Sequence, residues 1–152
     1  MTALAINKKA RFDYDLIEEF EGGLVLSGAE VKSIKKGNAS MQGAFLHIKN
    51  SELWLKNMHI GKYAPAGNQD DYDPEQDRKI LVHKQQLKKM IGKHNAEGLT
   101  IVPIRVYTKG ALVKIAFALA RGKKKHEKRD AIKKRDVQRD IKEEMKKTRF
   151  SN

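Results

Sequence analysis

The sequence predicts a mainly β protein, a small OB-like antiparallel barrel with small flanking helices and a basic carboxy-terminal tail. Three observations predict it. Short segments of alternating apolar residues recur between Gly, Pro and Asn turn signals. Only two stretches of residues 1–120 carry helical spacing, and both are brief. The last fifth of the chain is dominated by charge, with 20 of its 32 residues Lys, Arg, Asp or Glu. At 152 residues with 39% hydrophobic content, the chain holds enough apolar material for one modest core.

Residues 11–28, "RFDYDLIEEFEGGLVLSG", read as two short strands joined at Glu21-Gly22-Gly23, because Gly-Gly supplies the positive φ angles of tight hairpins. "SGAEVKSIKKG" follows as a short helix, with Ser27 and Glu30 at capping-box spacing and Gly37 as its stop. "AFLHIKNSELWLKNMHI" makes a second hairpin, Phe45 to Lys49 and Leu53 to His59, turning at Asn50 and Ser51.

Residues 61–77, rich in Gly, Pro and acids, form a long exposed loop. "RKILVHK" is a short buried strand. "KQQLKKMIGKHNAEG" is a small helix with Leu87, Met90 and Ile91 on one face. "TIVPIRVYTKGALVKIAFALA" is the last hairpin. Val102, Ile104 and Val106 alternate on its first strand, and Val113, Ile115, Phe117 and Leu119 on its second. Pro103 cannot donate to a ladder, so it requires an edge or a bulge. The sum is about six short strands and two small helices, without internal repeats.

Charge divides the chain in two, a body over 1–122 and a tail over 123–152. From Arg121 onward there are fourteen Lys or Arg against six Asp or Glu, a net +8 of the formal +13. Such a balance points to a partner made of phosphates, since each neutralised phosphate releases counterions. Val137, Ile141 and Met145 recur one per helical turn, too thin a stripe to fold alone. The tail is therefore expected to be disordered when free and helical when docked.

Little in the chain suggests chemistry. There is no cysteine, which removes disulfides, Cys-ligated zinc and thiol catalysis. His47, His59, His83, His94 and His126 are scattered without metal-ligand spacing. Asp70, Asp71, Asp73, Glu75 and Asp77 lack the spacing of a calcium loop and read as a solvated loop. Neither a phosphate-cradling glycine loop nor a nucleophile–base arrangement is visible. The expectation is a binder that is not an enzyme, has no cofactor and no metal, and is a monomer when free. No signal or membrane-spanning stretch is seen, so a cytoplasmic location is expected. Tyr14, Trp54, Tyr63 and Tyr107 are candidate exposed aromatics for RNA, although Trp54, in "LWL", fits the core better.

Several separated stretches resemble the SmpB (small protein B, SsrA-binding) family. "NKKARFDYDLIEEFEGGLVLSGAEVKSIKKG" (7–37) matches its amino-terminal signature. "DPEQDRKILVHKQQL", "GLTIVPIRVYTKGALVKI" and "ARGKKKHEKRDAIKKRD" match the rest in the same order. The likeness runs from about residue 5 to 145. It departs at Ala29, where many relatives carry a larger residue, and at Val137, where some carry an aromatic.

The resemblance implies a six-stranded OB-like barrel that binds the tRNA-like domain of transfer-messenger RNA. It implies delivery of that RNA to stalled ribosomes for trans-translation, with the tail in the vacant decoding centre and mRNA channel. It carries RNA binding onto Asn7, Glu21, Leu81 and Lys114 in the body, with Glu30 and Lys32 in "GAEVKS", and Gly122, Lys123 and Lys124 at the junction. Glu30 could equally serve only to cap its helix. The resemblance carries ribosome contacts onto His126, Lys128, Arg129, Lys133, Lys134 and Arg135, with His126 stacking on a nucleobase. The rivals are a general OB-fold single-strand binder and a structural ribosomal protein with its extension buried in RNA.

Overall fold

The computed structural model describes residues 2–64 and 71–123. The tail residues Lys124, His126, Lys128, Arg129, Lys133, Lys134 and Arg135, and the expected ordering of the tail on docking, lie outside them. The described chain runs β1 (Thr2–Ile6), α1 (Ala10–Asp13), β2 (Tyr14–Leu24), α2 (Gly28–Lys35), β3 (Ala39–Ser40), β4 (Phe45–Lys49), β5 (Glu52–Lys56), β6 (His59–Ile60), β7 (Arg78–Leu81), α3 (Lys84–Glu97), β8 (Thr100–Lys109) and β9 (Leu112–Gly122).

Seven strands form one antiparallel sheet in the order β1-β8-β9-β2-β7-β5-β4, and β3 pairs with β6 in a separate two-stranded ladder. The edge strand β4 comes back against β8 without a ladder between them. Residues of β4, α3 and β8 line that seam together. The mainly antiparallel class with small helices is as expected, but there are more strands than six.

The chief departure concerns Glu21-Gly22-Gly23. No hairpin turns there: β2 runs straight through, pairing Glu21 with Ala116, Gly22 with Ile115 and Gly23 with Lys114. The glycines serve close approach instead of a turn. A Cβ at Gly22 would lie 2.6 Å from Ile80 Cγ2 and 3.0 Å from the Leu81 carbonyl oxygen, so β7 approaches β2 this closely because Gly22 has no side chain.

Other turns follow the local chemistry. Asn50 and Ser51 both take positive φ, 53° and 59°, the arrangement of a two-residue hairpin of the primed kind. The strand expected over 53–59 breaks after Lys56. Asn57, at φ 60°, swings the chain away to pair with β3. Helix α2 starts on a complete Ser27–Glu30 capping box, and Gly37 follows its end at φ 84°.

Pro103 sits at a bulge between β8 and β9. Register passes from Pro103↔Phe117 to Arg105↔Ala116, which leaves Ile104 as the extra residue. The simple alternation expected for Val102, Ile104 and Val106 is thereby broken. Val106 packs in the main core, whereas Ile104 joins Tyr107, Ala116 and Ala118 in a small cluster with Leu16.

The main core fills the inside of the curl with Phe20, Ile34, Leu53, Leu55, Met58, Ile80, Met90 and Phe117. Phe20 and Phe117 stack with ring centroids 5.9 Å apart. Leu87 and Met90 seat α3, with Ile91 partly buried beside them. Trp54 does not join this core. Leu53 and Leu55 point inward, and Trp54 stands half-buried between them in sequence, opposite His47 and Lys79 on the neighbouring strands. Period-two alternation in "ELWLK" requires this.

Candidate nucleic-acid interface

One buried ion pair organises the scaffold under the site. Arg78, at the start of β7, donates from Nε to Glu30 Oε2 at 2.6 Å, and both side chains are buried. The remaining guanidinium hydrogens reach the Met58 carbonyl, the Pro74 carbonyl at 2.9 Å and the Tyr72 hydroxyl at 3.1 Å. Glu30 also accepts from the Ser27 N–H at 3.1 Å, from Gln76 and from Tyr72. Every polar group of the pair is matched, which a buried charge requires.

Burial works to raise the Glu30 carboxyl. The Ser27 N–H and the Arg78 guanidinium outweigh it and hold the group below the usual carboxylate range. Glu30 thus caps α2 and locks it to β7, and its oxygens are turned inward. The arrangement favours the capping role over an RNA contact at Glu30. The same network orders the acidic loop, since Tyr72, Pro74 and Gln76 reach Arg78 or Glu30. Asp73 closes a turn onto Glu75 N–H, and Asp77 pairs with Lys56.

Above this scaffold, three of the expected body residues converge. Glu21 from β2, Leu81 from β7 and Lys114 from β9 line one pocket of about 480 Å³, together with Val82, His83 and Leu112. The convergence is a consequence of register: Gly23 faces both Leu81 and Lys114 across its two neighbouring strands. Leu81 is 57% exposed and Leu112 61%, the two most exposed large hydrophobic residues of the described chain besides Ile6. Exposed apolar side chains beside fixed charges are what a partner surface leaves behind.

Glu21 is held from several sides. Lys109 Nζ donates to its Oε1 at 3.4 Å and Lys114 Nζ lies at 3.7 Å. The nearby Tyr107 hydroxyl is the largest cause that keeps the Glu21 carboxyl below the usual range. Burial first, and the interaction with the Glu21 carboxylate after it, push the Tyr107 phenol above its ordinary value. Tyr107 was expected as an exposed aromatic. It is instead 4% exposed, a support beneath the carboxylate.

The other expected residues lie elsewhere. Asn7 donates from its side chain to the Pro103 carbonyl at 2.8 Å, and its backbone N–H reaches the Ile104 carbonyl. It therefore pins β1 to the β8 bulge, beside a separate groove lined by Ala5–Lys9 and Ala39–Gly43. Lys32 is exposed on α2 with its ammonium 5.7 Å from the Tyr63 ring centroid, and Lys36 approaches the same ring at 4.9 Å. Gly122 ends β9, opposite Tyr14. Lys123 donates its N–H to the Asp13 carbonyl and its Nζ to the Arg11 carbonyl at 2.9 Å, so a cation caps the carbonyl end of α1.

Sequence reasoning missed Arg78 and Leu112, and it named Tyr107 only as an exposed aromatic, where the structure buries it. A period-two reading of β8 with its bulge unplaced could not put Tyr107 under Glu21. Among the described residues no group of three His, Asp or Glu is placed to hold a metal ion, and no helix is long and apolar enough to cross a membrane.

The family model described as SmpB protein matches residues 4–147. The SsrA-binding protein of Neorickettsia sennetsu is 53% identical over 137 residues, covering 90% of this chain and 92% of that one. The SsrA-binding protein of Thermosynechococcus vestitus is 44% identical over 143 residues, 94% of each chain. A solved structure described as "tmRNA-SmpB: a journey to the center of the bacterial ribosome" superposes with a TM-score of 0.63 at 39% identity, over 79% of this chain and 84% of that one. With the family model spanning nearly the whole sequence and relatives this similar, the chain belongs to the SmpB protein family.

Proposed function

We propose that this chain binds the tRNA-like domain of transfer-messenger RNA and brings it to stalled ribosomes for trans-translation, acting in the cytoplasm as a monomer when free. The observation that carries the reading is the convergence of Glu21, Leu81 and Lys114 on one pocket, in a member of a family whose relatives are named for binding SsrA RNA. The three side chains supply an acceptor, an apolar surface and a cation, which suit a base edge, a base face and a phosphate. Lys32 adds a further cation on α2. Binding and positioning are the whole activity, and no covalent step is assigned.

The body over 1–122 does the RNA recognition, and the tail over 123–152 meets the decoding centre and mRNA channel. The architecture supports that division. Lys114 and Gly122 lie at opposite ends of β9, eight residues or about 26 Å apart. Lys123 then fixes the chain's exit by capping α1. Gly122, Lys123 and Lys124 belong to the junction, and His126, Lys128, Arg129, Lys133, Lys134 and Arg135 to the ribosome-facing part.

A competition assay tests the function. Labelled transfer-messenger RNA should stay bound against excess bulk tRNA and poly-U. Equal displacement by poly-U would instead make the chain a general single-strand binder. Stable association with ribosomes that are not stalled would make it a structural ribosomal protein.

A further inference from the structure

We infer that the Glu21 pocket receives one unstacked guanine of the bound RNA and reads it through the Glu21 carboxylate. The inference deepens the function proposed above and rests on it. Its physical basis is the mismatch between the pocket's parts and simple phosphate binding. A carboxylate there repels phosphate, yet it is not saturated by the chain: Lys109 and Lys114 both approach its Oε1, and with about four lone-pair sites it keeps acceptor capacity for the donors of a base.

An ionised carboxylate is an acceptor only, with two oxygens side by side. Among the four bases, guanine alone presents two adjacent donors on its Watson–Crick edge, the ring N1–H and the exocyclic amino group. Adenine and cytosine present a single amino group beside a ring acceptor, which would face the second oxygen with like charge. Uracil presents one N–H between two carbonyls. Bidentate acceptance therefore selects guanine, in the way that paired hydrogen bonds select bases in general.

The walls complete the argument. Leu81 and Leu112 stand exposed on the pocket lining, from β7 and from the start of β9, and offer apolar surface to the faces of a planar base. The volume, about 480 Å³, falls within the ~300–1,000 Å³ span of small-ligand sites and exceeds one base, leaving room for its ribose. Lys114 stands at the wall within 3.7 Å of Glu21 Oε1 and supplies a cation toward the phosphate of the same nucleotide. Tyr107 and Lys109 hold the carboxylate in its ionised form, so the acceptor is ready before the base arrives.

The test is a guanine-by-guanine replacement in the single-stranded loops of the tRNA-like domain, measured with the full-length chain. Each guanine is changed to inosine, which keeps N1–H and O6 and removes only the 2-amino donor. RNA melting curves verify that the transcripts stay folded. One position should lose about tenfold in affinity, and that loss should vanish in Glu21→Gln, whose affinity is already reduced for every transcript.

If no single inosine changes the wild-type affinity, the inference is overturned while transfer-messenger RNA binding stands. If an inosine effect persists undiminished in Glu21→Gln, the guanine is read elsewhere and the inference is likewise overturned. A wild-type chain that fails to prefer the unmodified transfer-messenger RNA over bulk tRNA refutes the underlying function instead.

Discussion

Arg78 donates from Nε to Glu30 at 2.6 Å inside the protein, and through that bond β7 and helix α2 are fixed to each other. Because both charges are buried, removing one strands the other. Arg78→Ala should cost about 3–5 kcal/mol of folding stability, read from the urea midpoint. Glu30→Ala should cost a similar amount and lose the cap as well. RNA affinity measured under conditions where either variant is still folded should fall less than for a change at Lys114.

The same pair sets a pH dependence. The Glu30 carboxyl titrates below its unfolded value, so its contribution is fully present above that unfolded value of about 4.3 and is lost as pH falls through the folded one. Wild-type stability should therefore decline on acidification below about pH 5. Glu30→Gln should start lower at neutral pH and show a shallower acid limb. Parallel wild-type and Glu30→Gln curves in urea melts between pH 3 and 7 would show that other carboxylates dominate.

Gly22→Ala tests the strand-through reading of β2. A Cβ there meets Ile80 Cγ2 at 2.6 Å and backbone at 3.0 Å, so β7 must shift. Destabilisation of about 1–3 kcal/mol is expected, with a loss of RNA affinity because β7 carries Leu81. Gly23→Ala should be milder, as its nearest contact is 3.7 Å from the Leu81 Cβ. A hairpin at these glycines would reverse that order.

These residues also show where sequence patterning has force. The β4–β5 hairpin, the capping box of α2, the helix on Leu87 and Met90 and the long β8–β9 hairpin follow from local rules of period, caps and turns. Gly22-Gly23 obeyed no local rule, because its requirement comes from β7, nearly sixty residues away. β1 escaped notice because "TALAI" is short and pairs only with β8, at the far end of the chain. The site had the same split. Glu21, Leu81 and Lys114 were identified through family resemblance, while their convergence depends on Gly23 facing two strands at once. Tyr107 and Arg78 act on Glu21 and Glu30 through space, and no spacing in the sequence encodes either contact.

Tyr107→Phe isolates the support beside the Glu21 carboxylate. It deletes one buried hydroxyl and keeps the ring in its cluster with Ile104 and Ala116. The Glu21 carboxyl should titrate higher than in wild type, because its largest stabilising donor is gone, and carbon-detected NMR can follow it. RNA affinity should fall several-fold, and the effect should disappear when Glu21 is already alanine. A Tyr107→Phe loss that adds in full to the Glu21→Ala loss would mean Tyr107 acts through packing of β8.

Separation of body and tail gives the last prediction. Ending the chain after Lys125 keeps Glu21, Leu81, Lys114 and the Lys123 cap on α1, so binding to transfer-messenger RNA should fall only modestly, through lost long-range charge. Tagging of stalled chains should collapse, since about 27 residues of basic sequence would be missing from the ribosome. The segment has the reach for that role: roughly 30 extended residues span about 100 Å. His126→Ala should give a milder tagging defect, as it removes one ring able to stack on a base and leaves the cations. Lys114→Glu should do the opposite of the truncation, costing about 1–3 kcal/mol in RNA affinity with the tail intact. Normal tagging by the truncated chain would make the tail dispensable. A truncated chain that loses RNA binding as completely as tagging would instead place the tail in the RNA site itself.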